Sequence, residues 1–400
     1  MNFLIIGIAL LLAAYLAFSP RLASSSGWKA TLTPLASIMG SGFLVSAPLL
    51  GGIVGNRALL CMAVLLLIAY AVGGAIRFNI RHFEPVEHER GEAQKLALAS
   101  RVVLAAAYFI SVTYYLQLLA EFLLHALGMK SELLANSITS ALLVTICGVG
   151  IWRGLSELEA LEKYAVSLNL GMIGALLVAL SVHNLQLFLR GDWALPDVDS
   201  GIDLHDMRVL LGLLIVVQGF ETSRYLGAEH SAEQRIATMR MAQLLSAAIY
   251  LVFISLATVL FHKKLGADVT AIIGMTAPIA AVLPLLISIA AIGSQFSASV
   301  ADSAGAGGLI EDISRQKLPE RYAYVLIMVV TLCLTWVTSV QEIIAYASRA
   351  FALFYAFQCA VAVLVARQQR DLPRRRWKTL RFAATGLICL AVFVLGLPAE

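Results

Sequence analysis

Near position 300, oxygen-bearing side chains enter otherwise apolar sequence. In Ser299-Val300-Ala301-Asp302-Ser303 the positions i, i+3 and i+4 share one helix face, so Ser299, Asp302 and Ser303 are expected to form one cluster. Hard cations prefer such oxygens, which makes the cluster a candidate Na+ site. The alternatives are that Asp302 carries a proton, or that it pairs with a Lys or Arg of a neighbouring helix. Glu221 is the second candidate, because an acid inside or at the edge of an apolar run is costly and marks function by default. Two readings of it stand. It carries a proton or contacts a substrate amine, or it pairs with Arg224 three residues on. Arg349 lies in the middle of another apolar run and needs a partner or an aqueous cavity, with Glu221 and Asp302 as the candidate partners.

Two glycine breaks occupy matching places in the two halves: Gly40-Ser41-Gly42 and Gly219-Phe220-Glu221. Lipid offers no hydrogen bonds, so a helix unwinds in a membrane only where it lines protein or a cavity. Unwinding at Gly40–Gly42 frees N–H groups suited to an anion such as a carboxylate. It also frees carbonyls near Ala36 and Met39 suited to a cation. The alternative is that the glycines serve close helix packing. Paired breaks of this kind point to the substrate site of an inverted-repeat transporter.

These residues must be positioned by membrane helices. The 400 residues are 60% hydrophobic and 14% charged, where a soluble chain carries nearer a quarter charged. The mean hydropathy is +0.84. The class is an all-α polytopic membrane protein of about twelve spans of roughly 20 residues. They lie near 2–19, 32–55, 57–77, 98–127, 134–152, 163–188, 207–227, 240–262, 277–310, 321–339, 341–366 and 379–397. With the N-terminus outside, most of the 29 Lys and Arg fall in cytoplasmic loops. Only Arg57, Lys130, Arg190, Arg208, Lys263 and Lys264 fall outside, and that excess of basic residues on the cytoplasmic side is what the positive-inside rule requires. Met1-Asn2 carries no basic residue ahead of the first apolar run, so that run reads as an uncleaved helix. The five cysteines sit inside apolar runs with no metal or disulfide spacing. The net charge of +4 follows from the loops and is no nucleic-acid signal. The grouping is an extra helix in 1–30, a five-helix repeat in 31–190, a second and inverted five-helix repeat in 205–367, and a last helix in 375–400.

Ser37-Ile38-Met39-Gly40-Ser41-Gly42-Phe43-Leu44 resembles the unwound segment of amino-acid permeases. Gln218-Gly219-Phe220-Glu221, with Gly227-Ala228-Glu229 and the basic residues Arg235 and Arg240, resembles the matching permease pattern, and Ser299 to Pro319 resembles the end of the eighth core helix. The chain thus resembles the leucine-transporter (LeuT) fold of the amino acid–polyamine–organocation (APC) superfamily, a 5+5 inverted repeat with one extra helix at each end. The outside-first helix is similar to that of sodium:solute symporters. The resemblance implies a substrate site at Met39, Gly40, Ser41, Gly42 and Phe43 facing Gly219, Phe220 and Glu221. It also implies an ion site where Ser299, Asp302 and Ser303 face carbonyls of Ala36 and Met39, with Asp302 where a neutral residue is usual. Tyr114 or Tyr115 would line the site, beside Gln117 and Glu121 on the same helix. Lys163 is a candidate ion substitute or an interfacial lysine; His125 and His183 read as interfacial.

The implied activity is ion-coupled secondary transport of a small solute, an amino acid or related carboxylate or amine, by alternating access. The coupling ion is Na+ or H+, with no cofactor, and the partners are the solute and the bilayer of a bacterial cytoplasmic membrane, not nucleic acid. A sodium:solute symporter-like carrier of another organic solute is the alternative, and an ion channel is the alternative of a different class. No HExxH, GxSxG or metal-ligand spacing points to an enzyme.

Overall fold

The computed structural model describes residues 2–399 apart from 228, 229, 264, 266 and 267, with all their side chains except those of 23, 41, 156–163 and 320. The expectations on Ala228, Glu229 and Lys264, and on the side chains of Ser41 and Lys163, fall outside the described residues. Fifteen α-helices occur among these residues, and no strand. They are α1 (Asn2–Phe18), α2 (Pro20–Ser24), α3 (Ser26–Ser41), α4 (Phe43–Val54), α5 (Ala58–His82), α6 (Glu92–Ala126), α7 (Glu132–Arg153) and α8 (Ser156–Arg190). The second half adds α9 (Leu204–Gly212), α10 (Ala232–Ala257), α11 (Ala271–Thr276), α12 (Leu283–Ile313), α13 (Glu320–Val337), α14 (Val340–Gln368) and α15 (Arg375–Leu395).

Eight helical stretches among the described residues are long and apolar enough to cross a membrane, counting Ser26–His82 as one. The difference from about twelve has local causes. The spans near 2–19 and 321–339 form shorter helices. Those near 32–55 and 57–77 merge into the one run. The span near 207–227 is not a continuous helix: α9 ends at Gly212, and two 3-10 segments, Leu214–Val217 and Phe220–Tyr225, follow on either side of Gln218 and Gly219.

α12 and α14 pack along α6, α3 and α5 pack against α10, and α15 packs along α14. α1 packs along α8 by close contact of small residues. Ala9, Ala13 and Ala17 are buried, and a Cβ added to Gly171 of α8 would stand 2.6 Å from the Ala9 carbonyl oxygen. Lipid-like surroundings give no hydrophobic drive between helices, so such close backbone approach is what holds α1 in place.

Arg349 is resolved by this packing. Its Nε donates to the Phe393 carbonyl at 2.7 Å, and Arg208 Nε donates to the Leu395 carbonyl at 3.1 Å. The last carbonyls of a helix lack intrahelical donors and carry the negative end of its dipole. The two guanidiniums satisfy the end of α15 and tie it to α14 and α9. The structure therefore does not bring Arg349 to Glu221 or Asp302.

Candidate functional site

The first break is a single residue wide. α3 ends at Ser41, α4 starts at Phe43, and Gly42 between them sits at φ −169°, an extended conformation open to any residue. What Gly42 supplies is space: a Cβ there would lie 2.6 Å from the Val216 Cα. Gly219 at the second break has φ +116°, a conformation disfavoured for residues with a side chain, and its Cβ would lie 2.7 Å from the Ser37 carbonyl carbon. Each break thus makes room for the backbone of the other. One hydroxyl serves both, since Tyr250 of α10 lies 3.1 Å from the Ile38 carbonyl oxygen and makes a short hydrogen bond to that of Val216. Gln295 of α12 donates to the Gly40 carbonyl at 2.9 Å. The carbonyls of Ile38, Gly40 and Val216 are in this way taken up by protein donors.

A cavity of about 640 Å³ opens beside the first break. Ala36, Ser37 and Gly40 of α3 form one wall, Tyr108 of α6 and Asn169 of α8 others, and Thr222 and Tyr225 of the second broken segment close it. One face of α12 lines it from Ser294 to Asp312, a length of about 27 Å at 1.5 Å per residue. Arg101 and Asp312 also line the cavity and pair at 2.7 Å, with Glu87 on the other side of Arg101.

Asp302 lies in the cavity wall and accepts a short hydrogen bond from the Ser111 hydroxyl of α6. Ser299 and Ser303 do not share that position. Their hydroxyls turn back onto their own helix, to the Phe296 carbonyl and the Ser299 carbonyl, each at 2.7 Å, and neither residue is in the wall. A serine hydroxyl in an apolar helix finds the carbonyl three or four residues back as its nearest acceptor. The expected three-oxygen cluster is thus opened out, with Asp302 alone facing the cavity.

Glu221 is buried inside the second break. Its Oε2 accepts from the Gly219 N–H at 3.0 Å and from the Tyr355 hydroxyl at 2.8 Å. Arg224, the other proposed partner, donates instead to Gln358 at 2.5 Å and lies 4.0 and 3.9 Å from Glu84 and Glu87. The 3-10 turn over Phe220–Tyr225 stacks positions i and i+3 on one face, so it is their hydrogen-bond partners, the Gly219 N–H and Tyr355 for Glu221 and Gln358 for Arg224, that draw the two side chains apart.

The other expected site residues are packing residues in this conformation. Met39 is buried, and Phe43 packs tilted against Phe253 at 4.4 Å and edge-on to Tyr250. Phe220 stacks on Tyr355 at 5.3 Å. Tyr114 is buried beside Tyr115 at 5.1 Å and does not line the cavity. On α6 the cavity face runs through Arg101 and Tyr108, two turns apart, and Tyr114, six residues beyond Tyr108, points away from it. Tyr108 and Ser111 are not among the residues that the sequence marks. The seven-residue step from Arg101 to Tyr108 is a signal for the first; Ser111 offers none before its contact with Asp302 is seen.

Known proteins bear on this geometry. Residues 20–396 match the family described as APC superfamily transporter. An uncharacterized protein of Aquifex aeolicus (strain VF5) is 42% identical over 369 residues, covering 89% of each chain. Two crystal structures of single-site mutants of a manganese transporter from Eremococcus coleocola superpose with a TM-score of 0.60 at 11% and 12% identity, covering 92% of this chain and 87% of theirs. At that identity the likeness concerns the fold. Broken helices, cavity and family agree, and the chain belongs to the APC superfamily of transporters.

Proposed function

We propose that the protein is an ion-coupled secondary transporter of a small solute bearing an amino group, an amino acid first among the candidates. The observation that carries this reading is a cavity ending against the first break with Asp302 in its wall. A carboxylate in the wall of a cavity of this size attracts a cation, either the amine of a solute or the coupling ion, Na+ or H+. The two breaks, opening residues 31–190 and 205–367, support a pair of inverted repeats around a midplane site. By the positive-inside rule the mouth beside Arg101 and Asp312 faces the cytoplasm of a bacterial cell, which makes this an inward-open state. Among the described residues, none of α4 lines the cavity, so in this state the cavity offers cation chemistry first, and carboxylate binding belongs to a rearranged state.

The manganese cargo of the structural neighbour is the second reading. The donor set disfavours it: among the described residues no three His, Cys, Asp or Glu side chains are grouped to hold a metal ion.

The test is uptake of labelled amino acids into proteoliposomes under imposed Na+ or pH gradients. Saturable, gradient-driven uptake is expected, and Asp302→Asn should lower it about tenfold or more through loss of charge-assisted contacts. Asn keeps an acceptor for Ser111, so the variant should fold. Manganese uptake without amino-acid uptake would move the reading to the metal, and unitary currents would move it to a channel. Sodium-specific thermal stabilisation, about 2.7 kcal/mol at 100 times Kd, would name Na+ as the coupling ion if Asp302→Asn removes it.

A further inference from the structure

Cations crowd together where α5 ends and α10 and α15 begin. Arg240 of α10 and Arg381 of α15 both lie close enough to Arg77 of α5 for their charges to act on it. A Cβ added to Gly74 would meet the Arg381 guanidinium at 3.4 Å and that of Arg77 at 3.8 Å, so two guanidinium groups converge over one glycine. Arg77 is held in place by Gln243 Oε1 and lies over the Tyr70 ring at 4.9 Å. Gly73, next in sequence to Gly74, leaves the space that Gln243 occupies.

The charge of this cluster is not neutralised from nearby. Among the described residues no carboxylate comes within ion-pair distance of Arg77, Arg240, Arg381, Lys378 or Arg374–Arg376. Residues 367–381 hold seven Lys and Arg and the single acid Asp371. The first turn of α15 contains no acid, and basic residues there sit at the positive end of the helix dipole. Like charges gathered at the wrong end of a helix raise the energy of the fold unless an anion sits among them.

We infer that this cluster binds a phosphate group, presented by the headgroup of an anionic phospholipid. Guanidiniums donate in a fork that fits phosphate oxygens in pairs. The lipid is the favoured source because the cluster is flanked by apolar, exposed side chains along which acyl chains can lie: Trp377 and Leu380 on α15, Met241 and Leu244 on α10. Arg77 sits five residues before the end of α5, about 7.5 Å inside it, a depth suited to a headgroup rather than to a solute from the aqueous phase.

The full chain, purified in detergent, would be titrated with phosphatidylglycerol and with phosphatidylcholine of the same acyl chains, and bound lipid read by native mass spectrometry. Inorganic phosphate would be tested in parallel by thermal unfolding. Retention of phosphatidylglycerol over phosphatidylcholine is expected, weakened about twenty-five-fold in Arg240→Gln/Arg381→Gln if each cation contributes about fivefold. Arg381→Lys should recover part of the loss. The control Lys95→Gln/Arg321→Gln removes two cations elsewhere and should bind as the wild type. Equal loss in both double variants would reduce the effect to general surface charge and overturn the site. So would equal retention of the two lipids with no phosphate effect. Protection by inorganic phosphate as strong as by phosphatidylglycerol would overturn the lipid as the source and leave a site for soluble phosphate.

Discussion

The two broken segments are alike in sequence and differ in what they show to the cavity. At the first, Ala36, Ser37 and Gly40 stand in the cavity wall. At the second, Thr222 and Tyr225 reach the wall while Glu221 turns inward to the Gly219 N–H and Tyr355. The charged residue carried by the break is spent on holding the break, and beyond the paired Arg101 and Asp312 the charge in the cavity wall comes from Asp302 on α12. A conspicuous acid in a membrane segment therefore has two different uses in one molecule, and only its neighbours tell them apart.

The breaks also differ in how much they need glycine. Gly219 has both a left-handed φ of +116° and no room for a side chain, while Gly42 has an unexceptional backbone and lacks only room. Gly219→Ala should have the largest effect, about 3 kcal/mol or more from backbone strain plus overlap with Ser37 and Ile38. Gly42→Ala should cost about 2 kcal/mol, by overpacking against Val216 alone. Thermal unfolding of the purified variants measures both. A Gly42 variant less stable than the Gly219 variant would show that the contact, not the backbone conformation, dominates at both breaks.

The breaks are legible in the sequence because a glycine beside a polar residue weakens an apolar helix at that point. The first broken helix, the long helices α6, α8, α12 and α14 and the membrane class follow from apolar runs of the right length. The use made of each polar side chain is not legible. Helical spacing places Ser299, Asp302 and Ser303 on one face, yet a face of three residues spans a wide arc, and the serines find acceptors on their own helix before any ion does. Arg349 and Glu221 look like partners because both are charges in apolar sequence. Backbone groups, the end of α15 for one and the Gly219 N–H for the other, satisfy them instead. Sequence spacing carries no trace of either: the acceptor for Arg349 arises where α15 ends beside α14, and the donor for Glu221 arises where its own segment turns back at Gly219.

Tyr250 tests whether the two breaks behave as one unit. Its hydroxyl has a single proton and two carbonyl neighbours, one from each break. Tyr250→Phe keeps the ring, and with it the packing on Phe43, and leaves those buried carbonyls short of a donor. The expected loss is about 2 kcal/mol. If the breaks are coupled through this hydroxyl, Tyr250→Phe and Gly42→Ala together should cost less than the sum of their separate effects, since each alone already disturbs the Ile38–Val216 approach. Full additivity would make the two breaks independent.

The smallest expected effect is the one that separates the two acids most sharply. Glu221→Gln keeps an oxygen that can accept from the Gly219 N–H and from Tyr355, and removes the charge that strengthens those bonds. A neutral acceptor is weaker than a charged one by roughly 1 kcal/mol, so stability should fall by about that much. Uptake in proteoliposomes should persist at near wild-type rates, because the side chain does not reach the cavity and only the charge on the acceptor is lost. Asp302→Asn, an equally conservative change one helix away, should do the reverse, leaving stability nearly intact and suppressing uptake. If Glu221→Gln instead abolishes uptake while the protein stays folded, Glu221 carries the coupled proton. The inward-turned geometry seen here would then be one of two positions it visits during transport, and the second break would share with the first the work of moving the ion.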